Sequence, residues 1–214
     1  GWHPIPYLDQ GEFYSEFGNF DVSITVPENY VVAATGELQN QEEKEWLKKR
    51  STFTWEPVKK RIKKGSSIKT SIQKFPVSAT GIKTLRFTQD KVHDFAWFAD
   101  TSFSVIKDTL RLASGKLITL QSYYHLQNQP VWGNSLYYLK SAIRYYSQWL
   151  GEYPYNTVTA VDGYQGFTGG MEYPTITIIT GANSSKNLDL TIFHEVGHNW
   201  FQGILATNER KYPW

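Results

Sequence analysis

The chain has 214 residues, 40% hydrophobic and 20% charged, which is enough for a buried core in one or two domains and excludes a disordered tail. Cysteine is absent, so a disulfide framework, a thiolate metal site and a thiol nucleophile are all excluded. The net charge of +2 is unevenly spread, because residues 41–74 hold eleven basic and four acidic side chains and leave the remainder net acidic.

Lys59-Lys60-Arg61 and Lys63-Lys64 read better as a solvated edge than as a nucleic-acid surface. No nucleic-acid module accompanies them, and lysine commonly guards exposed strand edges. No stretch approaches the roughly 18 consecutive apolar residues that span a bilayer. Neither nucleic acid nor membrane is therefore expected as a partner. Gly1-Trp2-His3-Pro4 is no leader and the only Met is Met171, so the sequence is expected to be a processed product or a piece of a longer protein.

In chain order, Phe20, Val22, Ile24 and Val26 alternate with polar residues at the period of a half-buried strand. Pro27-Glu28-Asn29 turns the chain into a second strand, Tyr30 to Ala34. Further strands are predicted at Thr52 to Trp55, Ile68 to Lys74 and Thr84 to Thr88, with one short helix at Glu42 to Arg50. After about residue 92 strands interleave with helices. Leu117 to Tyr124 reads as a strand, and Leu136, Leu139, Ile143, Tyr146 and Leu150 recur at spacings of an amphipathic helix that Gly151 and Pro154 end.

Thr157 to Val161 and Thr175 to Thr180 are β-branched runs. Between them Gly163 to Gly170 is too glycine-rich for a regular element and suits a loop that lets backbone approach a ligand. The expected fold class is α+β. An antiparallel β region over 1–92 precedes a region over 93–214 in which strands and helices interleave.

Leu188 to Leu205 is predicted as a helix with apolar positions Leu190, Phe193, Val196, Phe201, Ile204 and Leu205. Inside it stands His194-Glu195-Val196-Gly197-His198. Residues four apart on a helix lie one above the other, so both imidazoles can aim at one ion about 2.0–2.1 Å away. Glu195, about 100° around the helix from His194, is placed to take a proton from activated water without being a ligand. Imidazoles with an open position suit catalytic Zn²⁺. Lone His3, His93 and His125 are expected to be ordinary surface or core residues.

The metzincin pattern is excluded, because Phe201 and Ile204 occupy the positions where it needs Gly and His. Phe193 to Phe201, together with Gly169-Gly170-Met171-Glu172-Tyr173-Pro174 upstream, resembles the aminopeptidase N family of gluzincin metallopeptidases. That resemblance implies that residues from 93 onward form the front half of a thermolysin-like catalytic domain with a mixed sheet, and that residues 1–92 close an N-terminal β-domain. It implies a zinc aminopeptidase acting on peptides with a free N-terminus. His194 and His198 would be zinc ligands and Glu195 the general base.

By the same resemblance Glu172 would pair with the substrate's α-ammonium, with Gly169, Gly170 and Met171 lining the substrate. Phe167 and Tyr164 are candidates for the first side-chain pocket, and the strand Thr175 to Thr180 for an edge that pairs with the peptide. The family's third ligand, a Glu nineteen residues after the second His, would fall at 217, past Trp214. Glu209 is out of place for it. The 214 residues alone are thus expected to bind zinc loosely and to have weak activity or none. Tyr173 stands where the family has Asn, and the family leans toward an exported bacterial protein. Alternatives are a thermolysin-type endopeptidase, or a binding protein that uses the basic segment 41–74.

Overall fold

A computed structural model describes residues 14–50, 59–64, 67–72, 75–163, 168–208 and 210–212. The strand expected at Thr52 to Trp55 lies outside them, as do Tyr164, Phe167 and Glu209.

The elements run β1 (Gly18–Pro27), β2 (Val31–Ala34), β3 (Glu37–Leu38), α1 (Gln41–Arg50), β4 (Lys59–Lys64), β5 (Ser67–Ile72) and β6 (Ile82–Val92). They continue with β7 (Trp97–Asp100), β8 (Phe103–Arg111), β9 (Leu117–His125), α2 (Gln129–Trp132), α3 (Ser135–Leu150) and β10 (Thr157–Gly163). Last come β11 (Gly169–Tyr173), β12 (Ile176–Thr180) and α4 (Ser185–Gly197). The class is α+β, with antiparallel sheets and one mixed sheet, as the sequence suggested.

β1, β6 and β3 form an antiparallel sheet, and Ile24 and Val26 of β1 are buried while the alternating Ser23 and Thr25 are exposed, the alternation read from the sequence. The basic residues of β4 pair with β5 in an antiparallel hairpin. The mixed five-stranded sheet has the order β11-β12-β10-β9-β8. β9, β10 and β12 are parallel neighbours, while β8 and β11 flank them antiparallel. β10 is buried from Thr157 to Asp162, as expected for a central parallel strand covered on both faces.

One face of this sheet packs on the helices, where Leu120, Val158, Ala160 and Ile179 meet Leu139 and Ile143 of α3 and Leu188 and Ile192 of α4. The other face packs on the N-terminal strands, with Tyr123, Val161 and Ile176 against Val31 and Ala33. β2 is hydrogen-bonded to β7, so backbone pairing and core contacts join residues on either side of position 92. No helix among the described residues is long and apolar enough to cross a membrane.

His125 ends β9 in the interior. Asp162 Oδ2 accepts its backbone N–H at 3.0 Å and lies 3.2 Å from Nδ1, while Asp100 Oδ2 lies 3.4 Å from Nε2. Burial alone would push this imidazole down, but the bonds and charges of Asp100 and Asp162 outweigh it and raise it to about 9. It is therefore a buried imidazolium that neutralises two carboxylates. A group whose pKa is raised by folding stabilises the fold fully below its ordinary value of 6.5 and loses that contribution as pH climbs to about 9. Unfolding free energy measured by urea should accordingly decline across this window. His125→Ala should abolish that decline and cost about 3 kcal/mol at pH 6, because it strands the carboxylates.

Candidate metal and amine site

α4 starts where Ser184 Oγ accepts a hydrogen bond from the Asn187 N–H at 3.2 Å. Leu188, Ile192 and Val196, four residues apart, are buried against the sheet and α3. That register decides where the motif points. His194 is exposed, His198 half-buried and Glu195 buried.

Gly197 is where α4 meets α3. A Cβ there would run into the Tyr146 hydroxyl, and the Tyr146 ring packs on Phe193 and Trp200 with centroids 4.6 and 5.3 Å away. Only glycine allows the helices to come this close.

The Nε2 atoms of His194 and His198 stand 3.2 Å apart, with ring planes at 82°. Two imidazoles bound to one tetrahedral ion at 2.0–2.1 Å would hold their nitrogens about 3.3 Å apart. The pair thus fits a common divalent cation.

The helix is shorter than expected. It stops at Gly197, with His198 at its C-cap, instead of running to Leu205. Residues Asn199–Ile204 form a wide turn broken at Phe201 and at Gln202, whose φ is +79°. The cause is Asn199, a buried side chain that donates to Val196 O at 3.1 Å and accepts the Thr175 N–H at 3.1 Å. Phe201, Ile204 and Leu205, expected as apolar positions of one continuous helix, are exposed past this break, while Leu190 is exposed within α4 because it lies on the face away from Leu188, Ile192 and Val196.

The glycine-rich stretch also departs from expectation. Gly169 and Gly170 belong to a strand, β11, which pairs antiparallel with β12 through Gly170↔Ile179 and Glu172↔Thr177. β12, expected to offer a free edge, lies between β10 and β11, and β11 is the edge of the sheet. The chain folds back through Pro174 and Thr175 and covers β12. Thr175 holds φ at +65° because three bonds fix it. Its N–H donates to Asn199, its Oγ1 accepts the Gly36 N–H at 2.9 Å, and its carbonyl accepts the Thr159 N–H at 2.9 Å.

Pleating turns Gly170 and Glu172 toward α4, and Met171 and Tyr173 to the opposite face. Gly170 lies so close to Glu195 that a Cβ would overlap its carboxylate. Glu172 Oε1 stands 3.9 Å from His198 Nδ1, on the side of the ring away from His194. Ligand atoms of Glu172, Glu195 and His198 all lie within 4.8 Å of one another. Tyr173 packs on Phe98, 6.1 Å between centroids, and Met171 offers its carbonyl to Thr177 Oγ1 at 3.0 Å. The Met171 side chain is therefore not gathered with the imidazoles. His194, His198, Glu195, Glu172 and Gly170 are.

His93, which the sequence gave no reason to single out, shares a small cleft with Glu172, His198, Asn199 and Gln202. Burial pushes its imidazole below the ordinary histidine value, and the nearby Asp94 and Glu172 charges only partly offset this. His93 follows directly on β6, so nothing in local periodicity places it near a motif a hundred residues away.

No protein-family model and no curated protein matches the sequence. Solved structures do match. The M1 zinc metallopeptidase from Deinococcus radiodurans is similar over 90% of this chain and 37% of its own, at 18% identity and TM-score 0.57. A mutant of that enzyme bound to a Tyr-Ser-Ala substrate is similar over the same shares, at 17% identity and TM-score 0.56. Legionella pneumophila aminopeptidase A, in complex with aspartic acid, is similar over 89% of this chain and 20% of its own, at 12% identity and TM-score 0.61. The chain spans 20% to 37% of the length of these structures, and over that span it has the fold of M1 zinc metallopeptidases.

Proposed function

We propose that this chain carries the metal-binding and amine-binding part of a zinc aminopeptidase, with a thermolysin-like catalytic region beginning near residue 93 and a β-rich region before it. The observation that carries this reading is the convergence of His194 and His198 Nε2 at 3.2 Å, with Glu195 and Glu172 gathered beside His198. The fold shared with M1 zinc metallopeptidases, one of them solved with a peptide substrate, supports the same conclusion.

His194 and His198 would hold the ion. Bound zinc polarises a scissile carbonyl and acidifies water. Glu195, buried on the neighbouring face of the helix, takes the proton as water oxygen adds to the carbonyl carbon. It returns that proton to the amine nitrogen as the C–N bond breaks. Gly170 makes room for this carboxylate. Glu172, with a side chain only 10% exposed, is placed to pair with a charge that an internal peptide bond does not have. That preference for an α-ammonium favours an exopeptidase over an endopeptidase. An extended peptide would run along β11, whose outer edge pairs with no strand among the described residues.

Glu195→Gln is expected to leave zinc bound, by metal analysis, and to lower kcat by about 100-fold or more. Gly170→Ala should do similar damage at unchanged zinc content, by displacing the Glu195 carboxylate. Peptides with an acetylated N-terminus should be cleaved far more slowly than free ones, and equal rates would refute the role of Glu172. With Glu195 and Glu172 occupied by proton and substrate, two imidazoles leave the ion under-coordinated. A longer chain that supplies a further carboxylate is expected to hold zinc more tightly, and to turn over faster, than the 214 residues alone.

A further inference from the structure

We propose that His93 is a second binding residue for the substrate's terminal amine, accepting a hydrogen bond at Nε2 from the ammonium that Glu172 neutralises. This deepens the aminopeptidase reading and rests on it.

His93 is 7% exposed, and its Nε2 is buried with no hydrogen-bond partner among the described residues. A buried polar nitrogen left without a partner costs stability, of order 1–3 kcal/mol, unless something it binds supplies the missing bond. The imidazole lines the same cleft as Glu172 and His198. Phe17 packs edge-on against the ring, with centroids 6.0 Å apart.

The chemistry of the cleft selects the partner. Glu172 makes it electronegative, which disfavours a carbonyl or carboxylate and favours a cationic donor. Burial pushes the His93 imidazole down, toward the neutral form whose one lone pair can accept. An ammonium has three N–H donors, more than one carboxylate oxygen engages, and a neutral imidazole takes one of the remainder without adding charge. Tyr173, next to Glu172 in sequence, has its ring packed on Phe98 and leaves this task open.

The test uses the intact zinc-loaded protein, an amino-acid hydroxamate and the same hydroxamate lacking its amino group. His93→Phe keeps a ring against Phe17 but has no lone pair, whereas His93→Gln keeps an acceptor. The Phe variant should bind the amine-bearing hydroxamate about tenfold more weakly and the des-amino compound unchanged. KM for free peptides should rise about as much, with kcat altered less than about threefold. His93→Gln should restore most of the affinity. Should the Phe variant not fold, His93→Leu makes the same comparison.

Equal losses for both hydroxamates, or no loss for either, would overturn the proposal and leave His93 a packing residue. A wild-type protein that binds the two hydroxamates equally would instead overturn the aminopeptidase reading. Wild-type discrimination that survives intact in His93→Phe overturns the role of His93 alone.

Discussion

The site depends on how closely α4 can approach its neighbours. Two glycines set that approach from opposite sides. Gly197 admits the Tyr146 ring of α3, and Gly170 admits the Glu195 carboxylate beneath β11. A methyl group at Gly197 would press on the Tyr146 ring and force the two helices apart, and one at Gly170 would displace the Glu195 carboxylate, because protein interiors are packed too densely to absorb it. With the helix held in this slot, its buried Leu188, Ile192 and Val196 fix the rotation about its axis, and the imidazoles face the sheet edge as a consequence.

A second constraint joins the site to the rest of the molecule. Thr175, at an unfavourable positive φ, is tied to the segment after α4 through Asn199, to the N-terminal strands through Gly36, and to β10 through Thr159. These bonds fold β11 back over β12 and thereby place Glu172 beside His198. The same Asn199 ends the helix, so the turn that stops α4 and the turn that positions Glu172 share one buried amide. The cleft beside them is closed by His93, contributed by the segment after β6.

Two histidines show how environment assigns chemistry to one residue type. His125 sits between Asp100 and Asp162, and their charges hold it protonated as part of the core. His93 is buried with weaker electrostatic compensation, which pushes its imidazole down toward the neutral form, and its Nε2 has no hydrogen-bond partner among the described residues. The first spends its hydrogen-bonding capacity inside the protein, while the second leaves one nitrogen unpaired among the described residues. Neither character could be read from the single letters in the chain.

The local sequence by itself determined the strand alternation of β1, the α3 helix, the imidazole pair one helical turn apart and the carboxylate between them. Each is a matter of short-range period, because side chains repeat every two residues on a strand and every three to four on a helix. Pairing and burial were decided only by the tertiary structure. β12 looked like an edge until β11 covered it, and Phe201, Ile204 and Leu205 looked like apolar positions of one helix until the chain broke after Asn199. His93 looked like nothing at all. Whether a strand is an edge or a nitrogen lacks a partner depends on residues distant in the chain, and the local period carries no record of them.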